Sequence, residues 1–271
     1  MEWCNVVKLD RQEGKKMNII NINSNISITS AQISFIEEVV KCDFDIENTF
    51  YWLSKNIPIF LLNEESMKKY DENKEYVYEQ NSDYKPYTEW LGFYGRDSQG
   101  LFSNTPRIAI CPERIAACVK NDEEFMFLLA KVIVHELAHA KMDDKNQNKS
   151  YKTKDSFWKW MEESSANRYT LQIFENFTQQ YRYSRSNQAS PFRNTSWEDT
   201  LFDFIVDFIK RQPPEYALGY ELFKKRPILD WEWEREKSNL GGKKQEKNDF
   251  INYVKTNYKN IDEKKFQFLF I

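Results

Sequence analysis

Apolar positions recur with two different periods along this chain, and the segments they mark predict its elements. Near the N-terminus, Met17–Ile22 and Ile26–Thr29 alternate loosely and are rich in isoleucine, which predicts short strands. Ile33, Ile36, Val39 and Val40 then fall at helical spacing, in a helix expected from Ala31 behind a capping Ser30. A second helical piece is expected near Ile46–Lys55. Pro58 ends it, and Ile59–Leu62 reads as a strand. Residues 63–90 are charged and tyrosine-rich, and read as a short helix followed by loop or edge structure. In Trp90–Cys111, Gly92, Gly95 and Gly100 punctuate the chain, and Pro106 precedes the apolar run Ile108–Cys111. This predicts a strand or hairpin that ends in a strand.

After a short helix over Pro112–Val119, a longer one is expected from Asn121, with Glu124 three residues on as a capping box. From Phe125 to Met142 nearly every position is apolar apart from Lys131, His135, Glu136, His139 and Lys141. A helix that is apolar around most of its circumference is buried. A polar loop, Asp143–Lys154, leads to a helix from Ser156 to about Tyr181, capped by Thr153 or Asp155. Residues 182–195 form another loop. An amphipathic helix then runs from Thr195 or Ser196 through Phe202, Ile205, Val206 and Ile209 to the stop at Pro213-Pro214. A further helix is expected over about Glu215–Lys225. The tail from Asp230 is charged and ends on the apolar Phe266–Ile271, which is expected to dock on the body as a strand.

The fold class that follows is α+β, with a small antiparallel or mixed sheet packed on the helix at 121–142 and a mainly helical C-terminal part. At 271 residues, one domain with decorations is expected. A net charge of −3 makes no case for nucleic acid or an anionic membrane surface. Only 7 glycines are present, and no glycine-rich phosphate loop occurs. No apolar run approaches the length of about 20 residues that spans a bilayer, and residues 1–18 lack the apolar core of a secretion signal. Cys4, Cys42, Cys111 and Cys118 form no C-x-x-C pair. A cytoplasmic protein with reduced thiols is therefore expected.

The chemistry concentrates in the buried helix. The chain has 2 histidines, and they stand four residues apart as His135-Glu136-x-x-His139. At that spacing both imidazoles leave one helix face, so both can reach one metal ion, with Glu136 beside the metal rather than on it. This is the pattern of a zinc hydrolase: two ligands, and a carboxylate to take a proton from zinc-bound water. The third ligand is open at this point. Position 145 is Lys and no histidine remains; Asp143 and Asp144 lie at the helix end, while Glu162 and Glu163 lie on the next helix. Asn167, four residues after Glu163, shares its face and is placed to hydrogen-bond the outer nitrogen of a ligating histidine.

HELAH at 135–139 followed by ESSAN at 163–167 resembles the gluzincin metallopeptidases, whose pattern is H-E-x-x-H followed by E-x-x-x-D or E-x-x-x-N. The E-x-x-A-N form, and the approach Arg107–Ile115 (RIAICPERI), are most similar to the compact bacterial ImmA/IrrE-like branch, the minigluzincins. The resemblance covers about residues 90–180. It implies a zincin-like metalloprotease core there, with an α/β part over 1–89 before it and a helical extension over 182–271 after it. It further implies that His135, His139 and Glu163 bind one Zn²⁺, that Glu136 is the general base and that Asn167 supports a ligand. With no spare histidine to hold the transition-state oxyanion, Tyr169, Tyr181, Arg182 and Tyr183 are the candidates for that task. The strand at Ile108–Cys111 is expected to be an edge beside the metal helix, with Ile108 and Ile110 binding substrate backbone as an added strand. The implied function is a zinc-dependent endopeptidase acting on a protein or peptide, with a dedicated target in a regulatory or defence setting. The alternative is a catalytically silent, zinc-stabilised protein-binding module.

Overall fold

A computed structural model describes residues 16–43, 49–71, 90–95, 106–145, 156–186 and 197–212, together with Tyr216, Gly219, Tyr220 and Lys224. Isoleucine-bearing segments form β1 (Ile19–Asn21), β2 (Ile59–Leu61) and β4 (Arg107–Ile110), and the glycine-bounded Gly92–Gly95 forms β3. The helices are α1 (Ser30–Val40), α2 (Thr49–Asn56), α3 (Glu64–Asp71), α4 (Pro112–Ala117), α5 (Asp122–Lys145), α6 (Ser156–Ser186) and α7 (Trp197–Arg211). The four strands make one mixed sheet in the order β1-β2-β4-β3. β1, β2 and β4 run parallel, and β3 pairs antiparallel with β4 through Gly92↔Ile110 and Tyr94↔Ile108.

Two expectations near the N-terminus change. Ile26–Thr29 is not a strand, and the cap of α1 is Thr29 rather than Ser30. The reason is Gln32: its N–H donates to Thr29 Oγ1 at 3.2 Å, and its side chain accepts from the Thr29 N–H at 2.8 Å. That reciprocal pair needs a spacing of three, which Ser30 does not have to a Glu or Gln. At α5, Asn121 Oδ1 accepts from the Glu124 N–H at 2.8 Å, as a cap should. The Glu124 carboxylate reaches one residue further back than the box requires, to the Lys120 N–H at 2.8 Å.

Alternation along the strands gives the sheet two different faces. Ile59, Leu61, Ile108 and Ile110 point into the main core with α1, α2 and α5. Phe60, Leu62, Phe93, Ala109 and Cys111 point the other way, where Met67 of α3 covers them. β4 is thus an interior strand, hydrogen-bonded to β2 on one side and β3 on the other. This corrects the expectation that Ile108 and Ile110 belong to a substrate-binding edge. Their backbone is already paired, and their side chains are fully buried. The edge nearest the long helix is β3. A Cβ at Gly92 would lie 2.8 Å from Val132 Cγ1 and 3.0 Å from the Ala109 carbonyl, so glycine lets β3 sit directly on α5.

α5 is the hub: it packs on α1, α2, α4, α6, α7, β3 and β4. Leu128, Leu129, Ile133, Val134, Leu137 and Ala138 are fully buried along it. The core takes in residues from Met17 to Ile209, well beyond 90–180. One buried polar cluster braces it away from the histidines. Lys141 Nζ donates to Tyr169 Oη at 2.7 Å and pairs with Asp43 Oδ2 at 3.5 Å, and the Tyr169 hydroxyl donates to Asp43 Oδ1. Asp43 also accepts from the Phe50 N–H at 3.2 Å, tying the start of α2 to α5 and α6. No described helix is long and apolar enough to cross a membrane. Of the helix expected at 215–225, the four described residues, Tyr216, Gly219, Tyr220 and Lys224, are helical. The tail from residue 230, with its expected terminal strand, lies outside the described residues.

Candidate metal centre

In the buried stretch of α5, Lys131, His135, Glu136, His139 and Lys141 are the buried polar residues. Burying such groups is costly unless each finds a partner. For the histidines the partners come from α6. The ring of His135 meets the edge of His139, with centroids 4.7 Å apart at 83°. The two Nε2 atoms lie 3.1 Å from each other. Glu163 Oε2 lies 3.0 Å from His135 Nε2 and 3.4 Å from His139 Nε2. These three residues could hold a metal ion.

The distances test whether an ion fits. Four ligands at about 2.0–2.1 Å in a tetrahedron stand about 3.3 Å from one another. The three observed separations of 3.0, 3.1 and 3.4 Å bracket that edge length. Both histidines present the same nitrogen, and the third donor is an anionic oxygen. That is a hard-to-borderline donor set of the kind that suits a divalent first-row ion. The Glu163 side chain keeps 27% exposure, against 5% for His135 and 9% for His139. The site is therefore most open on the Glu163 side.

The outer nitrogens differ. His139 Nδ1 lies 2.7 Å from Glu162 Oε1. In the neutral ring that an ion would require, a carboxylate there keeps the proton on Nδ1 and leaves the Nε2 lone pair for the cluster. Glu162 and Glu163 thus divide two tasks that the sequence left open between them. Glu163 faces both histidines; Glu162 stands behind one. Asn167, expected to support a ligand, is fully buried on α6, but among the described residues neither of its amide atoms has a hydrogen-bond partner. His135 Nδ1 is likewise without one. A Cβ at Gly219 would lie 2.8 Å from Asn167 Cβ and 2.6 Å from the Ser164 carbonyl. The segment through Gly219 is therefore seated on the face of α6 that carries Asn167.

Burial and charge set the protonation of the cluster. Burial, and then the charge of Lys131, push His135 down to about 3, so it is neutral. Burial opposes the charged form of His139 as well. There the charge of Glu163 and the hydrogen bonds to Glu162 and Glu163 win, and its pKa rises well above the usual histidine value. Burial raises Glu163, but the charge of His139 and the hydrogen bonds from both histidines outweigh it and hold the carboxyl well below the usual range. The cluster without an ion therefore carries one imidazolium facing one carboxylate.

Of the other expected residues, Glu136 lies on α5 at 6% exposure, next to the first histidine. Tyr169 is fully buried and committed to Lys141 and Asp43, so it is not available to a substrate. The side chains of Asp143, Asp144, Tyr181, Arg182 and Tyr183 lie outside the described residues. Two residues beside the cluster were not singled out from sequence. The Tyr216 ring lies 5.7 Å from the His135 ring, and Lys131 stands one helical turn before His135. Lys131 had a sequence signal, as a cation four positions ahead of His135 in an otherwise apolar helix. Tyr216 had none, because it stands 81 residues beyond His135 in the chain. Comparison of the chain with protein-family models, with curated proteins and with solved structures finds no match.

Proposed function

We propose that this chain is a zinc-dependent endopeptidase of the gluzincin type, with His135, His139 and Glu163 as ligands to one Zn²⁺. The observation that carries this reading is the convergence of His135 Nε2, His139 Nε2 and Glu163 Oε2 at 3.0–3.4 Å. Two histidines and one glutamate leave a fourth position open, which is the ligand set of catalytic rather than structural zinc. When bound, the ion supplies Lewis acidity toward a peptide carbonyl and lowers the pKa of water. Glu136 is the general base: its carboxylate takes the proton of the attacking water and passes it to the leaving amine. Glu162 holds His139 in the tautomer that coordinates. β3, the antiparallel edge strand against α5, is the segment on which an extended peptide would pair, in place of β4. A dedicated protein target, in a regulatory or defence setting, fits a centre this enclosed.

That enclosure also favours a second reading. His135, Glu136 and His139 are 4%, 6% and 7% exposed, as in a zinc-stabilised binding module that does no chemistry. Glu136→Gln separates the two. Metal content by plasma mass spectrometry should be unchanged, while cleavage of fluorescent casein or a peptide library falls by about 10²–10⁴-fold. Cleavage at the parent rate would remove Glu136 from the mechanism. A metal-loaded parent that cleaves neither these substrates nor a co-expressed candidate target would leave the binding module as the better account.

A further inference from the structure

Lys131 precedes His135 by four residues on α5, so the two side chains share one stripe of the helix. Its side chain is buried, at 2% exposure. Among the described residues it forms no ion pair. Its one hydrogen bond runs 3.4 Å to Gln212 Oε1, at the long limit for such a bond. Otherwise the ammonium lies against the faces of Phe208 and Tyr216, 5.8 Å from each centroid. Tyr216 also stands against His135, so one ring walls both the ammonium and the metal cluster. Gln212, Phe208 and Tyr216 are each half-buried, which places the ammonium one side-chain layer below the surface. The adjoining last turn of α7 carries the exposed cations Lys210 and Arg211.

A buried cation needs a counter-charge. Burial lowers the Lys131 ammonium to about 8, while the charges of Glu136 and Glu163 work to raise it. Those two carboxylates act on it through charge alone, and a divalent ion in the cluster would claim that of Glu163. The ammonium then keeps three donors and a single weak neutral acceptor. An anion entering from the surface could displace the Gln212 amide and make a charge-assisted hydrogen bond in a poorly hydrated site.

We propose that Lys131 is the carboxylate-recognition residue of the substrate site, pairing with an acidic side chain or a terminal carboxylate of the peptide held at the His135–His139–Glu163 centre. This rests on the metallopeptidase reading. It makes Lys131 a determinant of specificity, and it gives the substrate an acidic group close to the scissile bond.

Three hydroxamate-capped dipeptides test it by calorimetry on the zinc-loaded full chain. One ends in alanine amide, one in aspartate amide, and one in alanine with a free carboxylate. One of the two carboxylate probes should bind about 10- to 100-fold more tightly than the neutral probe, and which one does so identifies the source of the carboxylate. Lys131→Met should abolish that ratio and Lys131→Arg should keep it, both with unchanged metal content and melting temperature. Equal binding of all three probes to the loaded protein, or a ratio that survives in Lys131→Met, overturns the proposal and leaves the metal centre standing. A chain that retains no divalent metal overturns the metallopeptidase reading, and this proposal with it.

Discussion

Glu162 and Glu163 are neighbours in sequence, and replacing each by alanine should weaken metal binding by very different amounts. Glu163→Ala removes one of three protein donors. Binding of a structural zinc by four ligands is worth about 10–16 kcal/mol, so an even share is about 2.5–4 kcal/mol per ligand. That corresponds to a loss of about 10²–10³-fold in affinity. Glu162→Ala leaves all three donors in place. It removes the 2.7 Å hydrogen bond at His139 Nδ1, where the Glu162 side chain is 18% exposed. The imidazole can then exchange tautomers, and the fraction with a free Nε2 lone pair falls. Carboxylates in this position are worth about 10–100-fold in metal affinity, or about 1.4–2.7 kcal/mol. Competition against a chromophoric chelator measures both constants, and plasma mass spectrometry gives the metal per chain after dialysis. The expected order is parent, then Glu162→Ala, then Glu163→Ala, with only the last emptied by mild chelation. If Glu162→Ala loses as much as Glu163→Ala, then Glu162 is itself a ligand and the division of roles is wrong. If Glu163→Ala keeps the parent affinity, the three-residue centre is not where the metal sits.

Two further predictions concern pH and packing. Without metal, the His139 pKa is raised in the folded protein, so its stabilising contribution is full below about 6.5 and lost as pH rises through the folded value. His135, lowered to about 3 from 6.5, destabilises the fold as pH falls below 6.5. Glu163, held low, likewise loses its contribution as pH falls below 4.5. Metal must displace the His139 proton, so the gain in melting temperature on adding zinc should grow as pH rises from about 6.5 toward about 9; a gain that is flat or falls over that range contradicts the assignment. Gly92→Ala places a methyl group 2.8 Å from Val132 Cγ1 and 3.0 Å from the Ala109 carbonyl, which forces β3 away from α5. A loss of about 1–3 kcal/mol should appear as a shift in the denaturant midpoint, and an unchanged midpoint would show that β3 does not rest on the helix so closely.

Local spacing carried the parts of this protein that were legible in advance. Two histidines at i and i+4 share a face whatever the rest of the chain does, because the helix itself sets that geometry. Burial of α5 followed from apolar residues all round it. The strand positions at Ile59 and Ile108, and the hairpin before α4, followed from glycine, proline and alternation. Strand order did not. β4 is interior rather than edge because β1 and β2 add to its far side from residues 19–61, and no local pattern reports which strands become neighbours.

The same distinction runs through the centre. Sequence alone determined that His135, Glu136 and His139 stand together on a buried helix, and that the next helix brings carboxylates. Only the packing of α6 on α5 decided which carboxylate faces both histidines and which stands behind one, since adjacent residues on a helix point about 100° apart. Packing also decided that Asn167 lies under Gly219 without reaching a histidine, that Tyr169 is spent on Lys141 and Asp43, and that Tyr216 and Lys131 border the site. The physical reason is that a ligand spacing is a property of one helix, whereas a site is a property of the contacts among several.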